Sequence, residues 1–338
     1  MKRKVIMSGG NQGFVPIGSY TLHGVVMGFE HLWHTFDTSI WEGMYIQREE
    51  VFRNPAILDG VDLWLLATET SFPHDPAVLA AIDYAQARGT KVMAEPNGGH
   101  GNNLMGIKQS LVDFWKKFDA IEIGINDPEA VEAFETITGK PCLGQMPPYV
   151  EEYFDHMVRL ADNFSDMTLP EDIGERFVVP HAFDLRSWVT AQVAMMFGIK
   201  LHVTVFDSQV PGWINALEEP TGNLIMLDPS IRNHAAWLHV LRRSAGIFFL
   251  TTQPSHGRSI PYATTVGVPS LCCRHGWQVE LYPELVLPPE FNAGVDWKAK
   301  VRLAESLIPR GQEALRRYTP AYCQDRIETW FDAHGWFR

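Results

Sequence analysis

Short apolar runs alternate with stretches of helical periodicity along nearly the whole chain. In the first half, Lys4–Ser8, Val61–Ala67, Lys91–Ala94 and Ala120–Gly124 read as buried strands. Between them, Ser19–Trp33, Asp75–Arg88, Leu104–Phe118 and Pro128–Thr138 carry helical spacing. Asp75 and Asp127 stand at helix starts, and Gly89 and Gly139 at helix ends, the residue types that caps favour. Pro147 and Pro148 interrupt the alternation, and an acidic, loop-like stretch runs to about Gly174. A second series follows. Phe177–Pro180, Leu201–Phe206, Asn223–Leu227 and Ile247–Thr251 read as strands, and Leu185–Phe197, Ala235–Ser244, Trp297–Leu307 and Gln312–Trp330 as helices.

Strand–helix alternation predicts parallel sheets covered by helices. With 338 residues and a break near residue 150, the expected fold is α/β, two Rossmann-like domains facing across a cleft. The first would span 1–150 and the second 175–315, with 151–174 as a linker region.

Composition narrows the function classes. Hydrophobic residues make up 46% and charged residues 20%, as in a globular protein with a substantial core. Against 28 Lys and Arg stand 40 Asp and Glu, for a net charge of −12, which disfavours broad binding of nucleic acid. A local basic patch, such as Arg232, Arg242, Arg243 and Arg258, stays compatible with that charge. The four cysteines, Cys142, Cys272, Cys273 and Cys323, show no CxxC spacing and read as reduced, buried thiols of a cytoplasmic protein. The expectation is no signal peptide, because the apolar run after Lys4 is too short, and no transmembrane segment. The eleven tryptophans suit either a large core or a sugar-stacking surface.

Open α/β sheets bind ligands at the carboxyl ends of their strands, so chemistry is sought there. The loop at Ser8–Gly13 is glycine-rich but is neither GxGxxG nor a P-loop; Gly9, Gly10 and Gly18 can let backbone approach a substrate or serve as tight turns. Glu95 and His100 follow the third strand as candidate general bases, with cap or surface roles as the alternative. His31 and His34 lie i,i+3 without an HExxH or a cysteine cluster, so no metal site is expected. GxSxG is absent, against a nucleophile-elbow hydrolase.

The strongest local signal is "TTQPSHGRSIPYATTVGVPSLCC", residues 251–273. A strand ends and Ser255, His256, Gly257, Arg258 and Ser259 open a helix. Free N–H groups at a helix start attract phosphate, and an arginine adds bidentate contacts. Arg186, near another helix start, is a second candidate cation. Pairing of both arginines with surface carboxylates is the plainer alternative.

The order of elements in the second half resembles the donor domain of GT-B glycosyltransferases. "SAGIFFLTTQPSHGRSIPYATTVGVPSL" is similar to the family's strand, glycine-containing loop, helix and GxP turn. "GNLIMLDPSIRNHAAWLHVLRRSAG" is similar to its strand–loop–helix at the nucleotide base, and "RIETWFDAHGWF" to its closing helix. The resemblance covers most of residues 175–335. It implies a nucleotide-sugar co-substrate and no cofactor or metal. It places the diphosphate on Arg186, His256, Gly257, Arg258 and Ser259, and the base and ribose near Met226, Leu227 and Tyr262. The acceptor would lie in the first domain near Gly9, Gly10, Gly18, His23, Glu95 and His100. Residues 316–338 would form a helix crossing back to the first domain. The chain departs from the retaining families' E-x7-E, where Pro254 and Tyr262 stand. The implied activity is a hexosyl- or pentosyltransferase acting on a glycan, lipid, small molecule, protein or hydroxymethylated DNA base of the phage type. A nucleotide-sugar epimerase of the same fold and a non-catalytic partner subunit are the alternatives.

Overall fold

In a computed structural model of the chain, the structure describes residues 2–9, 36–68, 72–96, 109–123, 127–145, 149, 151–179, 185–203, 224–226, 234–250, 259–273, 276–287 and 296–337. Two all-parallel sheets organise them. The first contains β1 (Arg3–Ser8), β2 (Trp41–Tyr45), β3 (Leu63–Thr68), β4 (Lys91–Pro96), β5 (Ala120–Glu122) and β6 (Cys142–Leu143), in the order β2-β1-β3-β4-β5-β6. The second contains β7 (Phe177–Val179), β8 (Leu201–Val203), β9 (Leu224–Met226), β10 (Gly246–Phe249) and β11 (Ser270–Cys272), in the order β11-β10-β7-β8-β9. The architecture is α/β, with two Rossmann-like units.

Parallel sheets are buried on both faces, and the first sheet shows both. All six residues of β3 are buried. Trp64, Leu66, Ile6, Val92 and Ala94 face one cluster, and Leu63, Leu65, Val5, Met7 and Met93 face the other. Three helices cover the first cluster. They are α2 (Pro76–Ala87), α3 (Gln109–Trp115) and α4 (Pro128–Thr138), and the shorter α1 (Arg48–Arg53) adds Val51. Their ends follow the capping chemistry expected: the Asp75 carboxylate accepts from the Ala77 N–H at 2.9 Å, and Gly139 ends α4 in the left-handed region.

The other face is covered from the far end of the chain. Helix α11 (Pro320–Ala333) and the residues after it bring Ile327, Phe331 and Trp336 onto Val5, Met7, Trp41, Leu63, Leu65 and Met93. Trp41 lies 5.8 Å from Phe331 and 5.2 Å from Phe337, ring centre to ring centre. Glu328 accepts from the Trp41 indole and pairs with Arg3 at 3.4 Å. The Arg3 guanidinium also donates to the Phe337 carbonyl at 2.8 Å.

Around the second sheet stand α6 (Leu185–Met196), α7 (His234–Leu241), α8 (Ser259–Val266), α9 (Gly276–Leu281) and the long α10 (Trp297–Leu315). Three sequence expectations differ from what is observed. The stretch taken as loop after residue 150 opens with α5 (Glu151–Leu160), whose Phe154 packs 4.5 Å from Tyr262 in the second core. The helix expected to break between Leu307 and Gln312 runs on through Pro309. The break comes at Thr319, whose hydroxyl caps α11 at the Tyr322 N–H, with Pro320 in the first turn. Strand β2 was not anticipated: only Trp41 of WEGMY is fully buried, so its pattern is weak. The helix expected at Ser19–Trp33 lies outside the described residues. The four cysteines are buried, and none forms a disulfide among the described residues.

Two tests follow from this packing. At Gly246 (φ 131°), a Cβ would stand 2.2 Å from the Pro269 carbonyl oxygen, which is backbone and cannot swing away. Gly246→Ala is expected to cost about 3 kcal/mol or more in urea unfolding. His202 on β8 is buried, and neither ring nitrogen has a hydrogen-bond partner among the described residues. Burial, then the neighbouring Arg176, hold its imidazole down from 6.5 to about 4, with Asp172 opposing weakly. The folded state therefore resists a proton that the unfolded state accepts, so stability falls as pH drops from 6.5 to about 4. The loss is expected to be about 3 kcal/mol, and His202→Leu should flatten that part of the urea-midpoint profile.

Candidate functional site

Each sheet reverses its direction of growth once. In the first sheet the chain moves from β1 outward to β2, then returns to the other side of β1 as β3. In the second it runs β7, β8, β9, then returns beside β7 as β10. In open α/β sheets a switch point of this kind sends the connections of adjacent strands to opposite faces, and ligands bind at the carboxyl ends there.

At the second switch point, β10 pairs with β7 through Gly246 opposite Phe177 and Ile247 opposite Val178. The helices that follow these neighbouring strands are α6 and α8. Arg186 is the second residue of α6 and Ser259 the first of α8. Both helix starts therefore belong to one switch point. A hydrogen bond from the Leu250 N–H to the Thr190 hydroxyl, 3.0 Å, ties α6 to the carboxyl end of β10. Met226 ends β9 at the same edge of the sheet. The Arg186 side chain, His256, Gly257, Arg258 and Leu227 lie outside the described residues.

Tyr262 departs from the expected base or ribose contact. Its side chain is 1% exposed, with its ring 4.5 Å from Phe154 and 6.1 Å from Trp237, ring centre to ring centre. It faces inward because α8 buries that side against α5 and α7, so it is a core residue.

At the first switch point, Gly9 follows β1 and Glu95 stands near the end of β4, both half-buried. Gly10, Gly18, His23 and His100 lie outside the described residues. Beneath Glu95 is a buried polar chain. The Trp115 indole N–H donates to the Thr68 hydroxyl at 3.2 Å, and that hydroxyl donates to the Glu95 carbonyl at 3.3 Å. The chain holds the end of β4 on the end of β3.

The structure adds residues that sequence reading did not select. Tyr45 ends β2, and its phenol lies against Gly9, where a Cβ would be 2.5 Å from the hydroxyl. Arg48 and Glu49 follow at once in α1. The Arg48 N–H donates to the Gly9 carbonyl at 3.2 Å, its guanidinium pairs with Glu49 at 3.0 Å, and it lies 4.9 Å from the Phe72 ring centre. Burial, then the Glu95 carboxylate, push the Tyr45 phenol above its ordinary value, so it keeps its proton near neutrality. The available signal was the alternation of Trp41, Gly43 and Tyr45, too short to stand out beside the fully buried β3.

No protein-family model matches the chain, and no curated protein sequence matches it. Among solved structures, the chain is similar to the pneumococcal O-GlcNAc transferase GtfA, solved with UDP and GlcNAc. Identity is 11% and the TM-score 0.49, over 82% of this chain and 59% of that one. This chain thus spans less than two thirds of that transferase. It is also similar to the UDP-GlcNAc 2-epimerase from Neisseria meningitidis, solved with UDP-GlcNAc. Identity there is 11% and the TM-score 0.46, over 99% of both chains. A third similarity is to BGT of phage T4, solved with UDP-glucose, at 9% identity and a TM-score of 0.42 over 98% of both chains.

The polar chain under Glu95 can be tested by itself. Thr68→Val keeps the shape of the side chain but leaves the buried Trp115 indole N–H without its acceptor. The expected loss is about 1–2 kcal/mol in urea unfolding, and Thr68→Val combined with Trp115→Phe should cost less than the two changes summed.

Proposed function

We propose that the chain is a glycosyltransferase that moves a sugar from a nucleotide-sugar donor to an acceptor hydroxyl. The observation that carries this reading is the second switch point, where the segments leading into α6 and α8 leave neighbouring strands. In the sequence Arg186 is the second residue of α6, and Ser-His-Gly-Arg-Ser runs into the first residue of α8. A diphosphate at this position would meet free N–H groups at the start of α8, the positive end of that helix, and two guanidinium groups. The same groups would stabilise the negative charge that grows on the diphosphate as the sugar departs, without requiring a metal ion. The nucleoside would extend along the carboxyl edge toward Met226 and Leu227.

The acceptor would occupy the first switch point, among Gly9, Gly10, Gly18, His23, Glu95 and His100. Glu95 or His100 would take the acceptor proton as its oxygen attacks the anomeric carbon and the diphosphate leaves with the bonding electrons. Among the described residues no helix is long and apolar enough to cross a membrane.

The test is a thermal-shift panel of nucleoside diphosphates and nucleotide sugars on the full chain. A donor at a hundred times its dissociation constant should stabilise the fold by about 2.7 kcal/mol, and its base and sugar would identify the co-substrate. Arg258→Ala should remove that shift. A chain that responds to no nucleotide is not a nucleotide-sugar enzyme; an unchanged shift in Arg258→Ala moves the diphosphate elsewhere.

A further inference from the structure

The carboxyl edge of the first sheet carries a second polar group on the face that Glu95 shares. Pairing register places it. Tyr45 lies opposite Met7, Met7 opposite Leu65, and Leu65 opposite Met93. Side chains alternate along a strand, so Glu95, two residues beyond Met93, projects from the same face as Tyr45. Gly9, two residues beyond Met7, follows in that row. This is the face that α11 covers farther down the sheet, where the Tyr45 ring packs at the margin of the aromatic cluster. Beyond that margin Tyr45 and Glu95 are both half-buried.

Gly9 makes the arrangement possible. With no side chain at that position, the Tyr45 phenol can lie directly over the Gly9 backbone. The charged groups nearby are Glu95 on β4, and Arg48 and Glu49 on α1.

We propose that Tyr45 and Glu95 together bind one ligand hydroxyl, with the Tyr45 O–H donating to its oxygen and the Glu95 carboxylate accepting its proton. An alcohol is both donor and acceptor, so a phenol beside a carboxylate complements it, whereas two carboxylates or two phenols would serve only one role well. The inference rests on the glycosyl-transfer reading in that the hydroxyl is the acceptor's. Tyr45 is then a positioning residue: it holds the oxygen while Glu95 faces the proton. A tyrosine phenol keeps its proton and can donate throughout the neutral range, and burial only pushes it further that way.

The experiment uses the full chain with tyrosine labelled at Cζ and a panel of methyl glycosides as hydroxyl probes, read by NMR. The Tyr45 signal is identified by its loss in Tyr45→Phe. At least one glycoside should shift that signal saturably. Tyr45→Phe keeps the packed ring, so unfolding should change little while affinity for that glycoside falls about tenfold. Glu95→Gln should weaken the same binding and lower the pH at which the Tyr45 phenol titrates. Gly9→Ala, which displaces the phenol, should weaken binding with Tyr45 intact. A Tyr45 signal that no glycoside moves, or a phenol whose titration ignores Glu95→Gln, overturns the proposal. The nucleotide thermal shift is measured on the same proteins. Glycoside binding without any nucleotide response would sink the transferase reading and leave a hydroxyl site. A nucleotide response with Tyr45 unmoved would do the opposite.

Discussion

A parallel sheet cannot leave a face in water, and the first sheet meets that constraint with the last helix of the chain. Strands β1, β3 and β4 bury apolar residues on both sides. Helices α2, α3 and α4 cover one side. On the other, α11 and the residues after it bring Ile327, Phe331 and Trp336, more than 300 residues along the chain from β1. Each such side chain contributes about 1.5–3 kcal/mol by burial, and the ring contacts with Trp41 and Phe337 somewhat more. Arg3 and Glu328 fix the register of that docking, one bridging to the Phe337 carbonyl and the other accepting from the Trp41 indole. The first strand and the last helix are therefore one packed unit, although the second sheet lies between them in sequence.

That closure brings the two crossings between the halves together. The Tyr149 N–H donates to the Tyr318 carbonyl, Arg316 pairs with Glu151 at 3.5 Å, and Arg326 donates to the Gly144 carbonyl at 2.7 Å. The outward passage after β6 and the return after α10 run side by side. Strand order in each sheet then decides where chemistry can sit. Winding reverses beside β1 and beside β7, and Gly9, Tyr45 and Glu95 stand at the carboxyl end of the first sheet.

Much of this was legible from residue order. Val61–Ala67 read as a buried strand because five consecutive apolar residues, Leu63–Ala67, leave no solvent face, and β3 is fully buried. Asp127 and Gly139 bracketed α4 because a carboxylate can cap a helix start and only glycine enters the left-handed region cheaply. Less visible were elements whose stability is borrowed from neighbours. Strand β2 contains Glu42 and Gly43 and gains order from pairing with β1. Helix α5 looked like an acidic loop until Phe154 found Tyr149 and Tyr262. Pro309 suggested a helix break, yet α10 continues through it, packed against α8 and β11.

The sequence by itself determined the local content: which runs must be buried, where helices can start, and that Glu95 would stand at a strand end and Ser259 at a helix start. These follow from side-chain chemistry and period, which act within a few residues. Only the tertiary structure decided that Tyr262 turns into the core, and that Tyr45 lies over Gly9 in the same facing row as Glu95. Only it decided that the helices bearing Arg186 and Ser259 share one switch point. Strand order and register set those relations, and both are consequences of packing between segments far apart in the chain.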